Sequence, residues 1–286
     1  MGKHYIPQKY LEKFQIPERP GYIWLYDLKH GKTPSCASIA NVAQQRDYFD
    51  EEVERILAKT VETPSNQIIH RILDGVLPLE RERLQLSIYV GTMMKRVPHH
   101  RSKAIRTLPG ALDDTITKVK GEIEALSVRN QFAPEKKASL MAEVDRIRQE
   151  YSKQPPPSFV REMYNPWPSR KIVDCILDMT WRVLISSTNM RFMTGDNPAF
   201  FFEGMGLGNP EAELVLPISS TRALHCSWQK ASSSVEFRDV DDRVVIEINR
   251  RIISGATRFV FFHEDSDRIY SLRDSLVYRL NRINWG

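Results

Sequence analysis

Cysteine is scarce in this sequence. Its three cysteines, Cys36, Cys175 and Cys226, stand far apart and odd in number, and no Cys-x-x-Cys pair occurs. That spacing excludes a disulfide framework and a zinc ribbon. Buried free thiols in a reducing compartment are the expectation. Long apolar runs are missing too. No stretch approaches the roughly 18 apolar residues of a membrane-spanning helix. The start, Met1 to Ile6, has no apolar signal core, and Ile6 breaks the myristoylation pattern. The expectation is a cytoplasmic protein with no membrane contact. Reaction fingerprints are also lacking. There is no nucleophile elbow, kinase set, Walker loop or dinucleotide fingerprint. The glycine-rich excursion from Gly204 to Gly208 lacks the Lys-Ser/Thr ending of a phosphate loop and reads as a flexible loop or lid. A Glu-x-Lys strand of the restriction-nuclease kind is absent.

What is present fits a globular protein. Of 286 residues, 41% are hydrophobic and 27% charged, enough for a sizeable core and against disorder. The net charge of +5 is moderately basic. It permits contact with a polyanion without demanding it.

Hydrophobic spacing lays out the elements. His4 to Phe14 reads as a short helix opened by Pro7. Tyr22 to Leu28 is aromatic and β-branched, a strand, and Thr33 to Ile39 returns beside it as a hairpin. Asn41 to Gln45 reads as a helical turn. Asp50 caps a helix carrying Val53, Ile56 and Leu57. Another follows Thr63-Pro-Ser65 and stops near Gly75. The clearest helix is Glu80 to Val97: Leu86, Tyr89, Val90, Met93, Met94 and Val97 form a core stripe. Beside it run Gln85, Tyr89, Thr92 and Arg96. Residues 113–153 are highly charged with a narrow apolar stripe, a helical hairpin. A helix is predicted from Ser169 through Ile185, with Asp174, Asp178 and Arg182 as a surface ion-pair row. Met190 to Phe202 reads as a strand ending in a tight turn, Thr194-Gly-Asp-Asn-Pro198. Strands at Leu214–Ser219, Ala223–Trp228 and Ser233–Phe237, a helix from Asp241 to Ile253, and a buried strand at Arg258–His263 complete the order. The class is α+β: a helix-rich single domain, 1–286, with a small mixed β-sheet and the mid-chain hairpin.

The order of signatures is similar to a known family. His4, Pro7, Gln8, Leu11 and Phe14 open the chain; Tyr26 and Asp27 end the first strand; Arg96 and Pro98 end a core helix. Trp181, then Asp196, Asn197 and Pro198, then Pro217, Ser219 and Asn249 follow. This set resembles the bacterial family catalogued as domain of unknown function 4238. The resemblance spans nearly the whole chain. It implies one fold and a site, and carries no activity to transfer.

The polar positions predict a pocket. His4 and Asp196 are the expected catalytic pair, with Gln8, Arg96 and Asn197 holding substrate. His4 suits proton transfer, and the Arg96 fork suits a phosphate or carboxylate. Each also has a structural reading: His4 as a helix cap, Arg96 on helix-end carbonyls, the Asp196 turn as an ordinary turn. His100, Arg101, Lys103 and Arg106 form the strongest basic patch, either a nucleic-acid contact or a solvated helix end. No metal site is expected, and no cofactor follows from the residues. Two functions stay open. One is a hydrolase of nuclease or phosphodiesterase type acting on nucleic acid or another phosphate-bearing ligand, in a bacterial defence setting. The other is a non-catalytic module binding an anionic ligand, nucleic acid or a protein partner.

Overall fold

The computed structural model describes residues 2–31, 33–46, 48–129, 133–202, 205–274, 280–283 and 285. The chain divides into two compact units, His100–Asn165 and the remainder, Met1–His99 with Pro166–Gly286. The class is α+β, with 51% helix against 18% strand.

The larger unit is built on two sheets. One has five strands in the order β10 (Val235–Val240), β5 (Thr180–Ser186), β9 (Arg222–Ser227), β8 (Glu213–Ser219) and β7 (Phe200–Phe201). It is mixed, because β10 runs parallel to β5 while the other pairs are antiparallel. The second sheet has four antiparallel strands: β3 (Ser35–Ser38), β2 (Tyr22–Asp27), β11 (Phe259–Phe262) and β6 (Thr194–Gly195). The expected Tyr22 hairpin is its β2–β3 pair. A third, small pair joins β1 (Gly2–His4) to β4 (Gln44–Arg46).

Every residue of β8 is buried, because both faces of its sheet are covered. Trp181, Val183, Leu214, Leu216, Leu224 and Cys226 enter the main core. There they meet α1 (Gln8–Leu11), α3 (Thr63–Leu73) and the expected stripe of α4 (Glu80–Lys95): Leu86, Tyr89, Val90 and Met93. Leu184, Val215, Ala223 and Val240 pack instead with Val245, Ile248 and Ile252 of α9 (Asp242–Gly255). The predicted N-cap at Asp50 holds, accepting from Val53 N at the head of α2 (Glu51–Leu57). Asp241, expected as the first residue of its helix, is instead the N-cap of α9 and accepts from Val244 N. All three cysteines are free, and only Cys226 is fully buried.

In the smaller unit α5 (Pro98–Val128) packs on α6 (Pro134–Lys153), with Ile116, Ile123 and Val144 between them, and α7 (Pro157–Tyr164) follows. Lys120–Asp145 at 2.6 Å and Arg148–Asp113 at 2.7 Å tie the hairpin across its polar side. The hairpin begins earlier than residue 113 because Pro98 opens a new helix, where its missing N–H costs nothing.

Several expectations need correction. The helix from Ser169 ends at Asp178 (α8, Arg170–Asp178), and Thr180–Ser186 is strand β5. Thr180-Trp-Arg-Val-Leu-Ile is aromatic and β-branched, and so apolar that helical and strand periods both fit it. Arg182 therefore leaves the supposed surface row with Asp174 and Asp178. It lies 2% exposed in the sheet, with Nε 3.1 Å from Glu236 Oε1. Asn41–Gln45 is not a helical turn throughout. A single 3-10 turn covers Ile39–Asn41, and Gln44–Arg46 is β4, with Ala43 at φ 52° between them. Of Met190–Phe202 only Thr194–Gly195 and Phe200–Phe201 are strand. The Asn249 side chain occupies the main chain before them, accepting from Met193 N (2.9 Å) and donating to Arg191 O (2.8 Å). Gly204 of the expected Gly204–Gly208 loop lies outside the described residues, while Leu207 within it is buried and its carbonyl accepts from Trp228 Nε1.

Candidate functional site

The Thr194–Pro198 turn sits where two elements change hands. α9 ends at Gly255 and β11 begins at Phe259, and the turn clasps that junction. Asp196 is 3% exposed. Its Oδ1 accepts from Thr257 N (2.7 Å), and its Oδ2 from Arg258 N (2.8 Å) and Phe259 N (3.0 Å). Its own N–H donates back to Phe259 O. Asn197 Nδ2 donates to the last carbonyl of α9, Gly255 O, at 2.9 Å. Burial raises the Asp196 pKa, against the pull of the three amides. A Cβ at Gly195 would stand 3.1 Å from Phe259 O, so the glycine lets β6 approach β11. Both carboxylate oxygens are thus engaged with backbone donors. No bond joins Asp196 to His4 or Arg96. Its charge acts on Tyr5, and the charge of His99 acts on it, pulling its pKa down.

His4 and Arg96 do come together. Arg96, at the end of α4, is 1% exposed. Its Nη2 donates to His4 O at 2.7 Å, and its Nη1 pairs with Glu62 Oε1. Glu54 Oε1 lies 3.8 Å from Nη2. Glu62 reaches the guanidinium from a single π-helical turn, Ala58–Glu62, that joins α2 to α3. Such turns widen the helix by a residue and recur at functional sites. Gln85 Nε2 donates to Thr60 O, Val61 O and Ser65 Oγ, tying that turn to α4. Gln8 is exposed, and its Nε2 donates to His4 Nδ1 at 3.3 Å, leaving the ring proton on Nε2. Burial lowers the His4 pKa, opposed by the nearby Ala40 and Ile39 carbonyls. Neither meets His4 Nε2 at hydrogen-bonding geometry.

Around this pair lie polar atoms without a hydrogen bond to any described residue. Tyr89 Oη, Thr92 Oγ1 and Arg96 Nε are buried in this way, as are His4 Nε2 and Glu54 Oε1, the latter keeping only its longer ionic contact with Arg96. Tyr89, Thr92 and Arg96 fall at i, i+3 and i+7 on α4, one face of the helix. Tyr89 and Thr92 are each 1% exposed. Burial raises the Glu54 pKa first; Arg96 pulls it down and Glu62 pushes it up. The stripe Gln85, Tyr89, Thr92, Arg96 was visible in the sequence, but Glu54 and Glu62 were not. Nothing local to either glutamate marks it as a partner of a residue more than 30 positions away.

The basic stretch is less available than its composition suggests. On α5, His100, Arg101 and Lys103 are half-buried and have partners, and the Arg101 guanidinium lies 4.3 Å over the Tyr164 ring. Arg106 is exposed. Among the described residues no group of three or more His, Cys, Asp or Glu side chains is arranged to hold a metal ion, and no helix is long and apolar enough to cross a membrane.

Two kinds of polar residue are therefore carried on one α+β frame: backbone staples such as Asp196 and Asn249, and an Arg-centred cluster with free valences. The chain belongs to the family described as protein of unknown function (DUF4238), whose profile matches residues 3–266. No curated protein and no solved structure matches it.

Proposed function

We propose that the larger unit is a recognition module that binds a small polar ligand at the Arg96 cluster. The observation that carries this is the row Tyr89 Oη, Thr92 Oγ1 and Arg96 Nε, buried on one helix face without a partner. A buried polar group left unpaired costs about 1–3 kcal/mol. Three in one row are a standing cost that a bound ligand removes. The charge balance defines the ligand. Arg96 faces two carboxylates, Glu62 and Glu54, so a bare phosphate meets no surplus of positive charge. Hydroxyl and amide groups, which both donate and accept, match the free atoms better. Nucleosides, sugars and amino acids carry such groups.

A hydrolytic reaction at the same cluster is the second reading. It rests on Glu54, whose pKa is raised by burial, and on the neutral-leaning His4, both of which reach Arg96. An acid and a base displaced in this way suit proton transfer.

The test is a thermal-shift screen with nucleosides, free sugars and amino acids, run on wild type and on Tyr89→Phe/Thr92→Val. Ligand at about 100 times its Kd stabilises by about 2.7 kcal/mol. A compound that raises the wild-type melting temperature and leaves the double variant unmoved supports the module. Incubating that compound with the protein and looking for product then decides the second reading. A panel without a hit, or a hit that shifts the double variant equally, overturns the proposal.

A further inference from the structure

One face of the five-stranded sheet carries a row of charges that the Arg96 cluster does not use. Across the ladder Glu236 stands beside Arg182, Arg182 beside His225, and Glu213 lies on the next strand. From α9, Arg251 Nη1 closes on Glu213 Oε2 at 2.8 Å. Residues 281 and 283 lie over this row: Ile283 N donates to Glu213 Oε1, Asn281 N to Glu247 Oε1, and Gln229 Nε2 to Ile283 O. Trp285 follows them. Its ring is 5.0 Å from the His225 ring and 5.3 Å from the Arg182 guanidinium.

Outside Trp285 lies a cavity of about 220 Å³, lined by Arg182, Gln229, Lys230, Ser232, Glu236, Arg238 and Trp285 among others. Its charges divide clearly. Arg182 is fully committed: Nε to Glu236, Nη1 to Ser227 Oγ, and Nη2 to the carbonyls of Gln229 and Lys230. Glu236, the one carboxylate among the described lining residues, is thereby neutralised. Lys230 and Arg238 are exposed and have no carboxylate partner among the described residues; Arg238 Nη2 stands 3.5 Å from Trp285 O and its guanidinium 5.9 Å from the Trp285 ring. Two cations without a described counter-charge thus face a cavity whose one described carboxylate is already paired.

We infer that this cavity binds a phosphate group, as inorganic phosphate or as the end of a small phosphomonoester. Lys230 and Arg238 supply the charge, the Ser232 hydroxyl supplies a donor, and Arg182 fixes the wall. The volume decides the size of the ligand. Drug-sized sites run from about 300 Å³ upward, so 220 Å³ takes a phosphate with little attached. Trp285 forms part of the wall, so occupancy changes its surroundings, and binding weakens as salt rises because both cations are exposed.

The experiment is a titration of the full chain with inorganic phosphate, and in parallel with ribose 5-phosphate, followed by calorimetry and by tryptophan fluorescence. Wild type binds at least one of the two. Lys230→Ala/Arg238→Ala binds about tenfold more weakly or worse, with an unchanged melting temperature because both side chains are exposed. Trp285→Phe keeps the calorimetric signal and loses the fluorescence change. Binding of both ligands identifies a phosphate-group site; binding of phosphate alone narrows it to the free ion. No binding of either by roughly 10 mM, or equal binding by the double variant, overturns the inference. These outcomes are independent of the Arg96 cluster, whose variants leave phosphate binding unchanged.

Discussion

Replacing Asp196 by Asn separates a backbone staple from a catalytic carboxylate. The side chain accepts from three consecutive backbone amides, Thr257, Arg258 and Phe259, at 2.7–3.0 Å. Asn can turn its one carbonyl oxygen toward Arg258 and Phe259, but its NH2 then meets the Thr257 N–H donor to donor. One charge-assisted bond is lost outright, about 1.5–3 kcal/mol, and two fall to the neutral value of about 0.5–1.5 kcal/mol each. The total is about 3.5–6 kcal/mol, a large part of the roughly 5–15 kcal/mol that holds a domain. For a unit of this size that corresponds to roughly 7–24 °C in melting temperature. Tryptophan fluorescence is the right assay: Trp24, Trp167, Trp181, Trp228 and Trp285 all lie in the larger unit. Asn197→Ala, which removes one neutral bond to Gly255 O, is the internal scale at about 1 kcal/mol. If Asp196→Asn melts within about 2 °C of wild type, the three amides do not depend on the carboxylate and the staple reading fails.

Four further outcomes are expected. Tyr89→Phe and Thr92→Val leave the free protein unchanged or stabilise it by up to about 1 kcal/mol, because each deletes an unpaired buried hydroxyl; a loss above about 2 kcal/mol in denaturant melts would mean that those hydroxyls are bonded after all. Gly91→Ala destabilises by about 1–3 kcal/mol although alanine is the better helix former, since its Cβ would stand 2.6 Å from Pro168 Cβ; a gain in thermal stability would refute the tight α4–Pro168 contact. Burial brings the Lys13 ammonium down to about 8, so the folded state sheds its proton before the unfolded chain does near about 10.4, and stability rises with pH across that interval; the rise should vanish in Lys13→Met urea titrations. Burial also lowers His225, which faces Glu213, Arg251, Arg182 and the Trp285 ring, so stability falls as pH drops below about 6.5; His225→Gln should be less acid-sensitive than wild type.

Legibility in the sequence followed the range of each interaction. The cap at Asp50, the Tyr22 hairpin and the α4 stripe are fixed within a few residues of themselves, so spacing alone announces them. Arg182 was misplaced because a run apolar on every side fits a helix and a buried strand equally, and only the pairing with Glu236, 54 positions away, decides. The candidate site shows the same division. His4 and Arg96 were picked out as polar groups on core elements, and they meet. Asp196 was picked out on the same ground and is engaged elsewhere. Residue type cannot separate the two cases, because a carboxylate that clamps three amides and one that works on a ligand have the same composition and the same turn around them. What separates them is how many valences the fold leaves open. Asp196 has an identified donor on each oxygen, whereas Tyr89 Oη and Thr92 Oγ1 have no hydrogen bond among the described residues. Unspent valence in a buried position is the ground on which the ligand site is proposed on α4, and the Asp196 turn, with both its carboxylate oxygens engaged, offers no such ground.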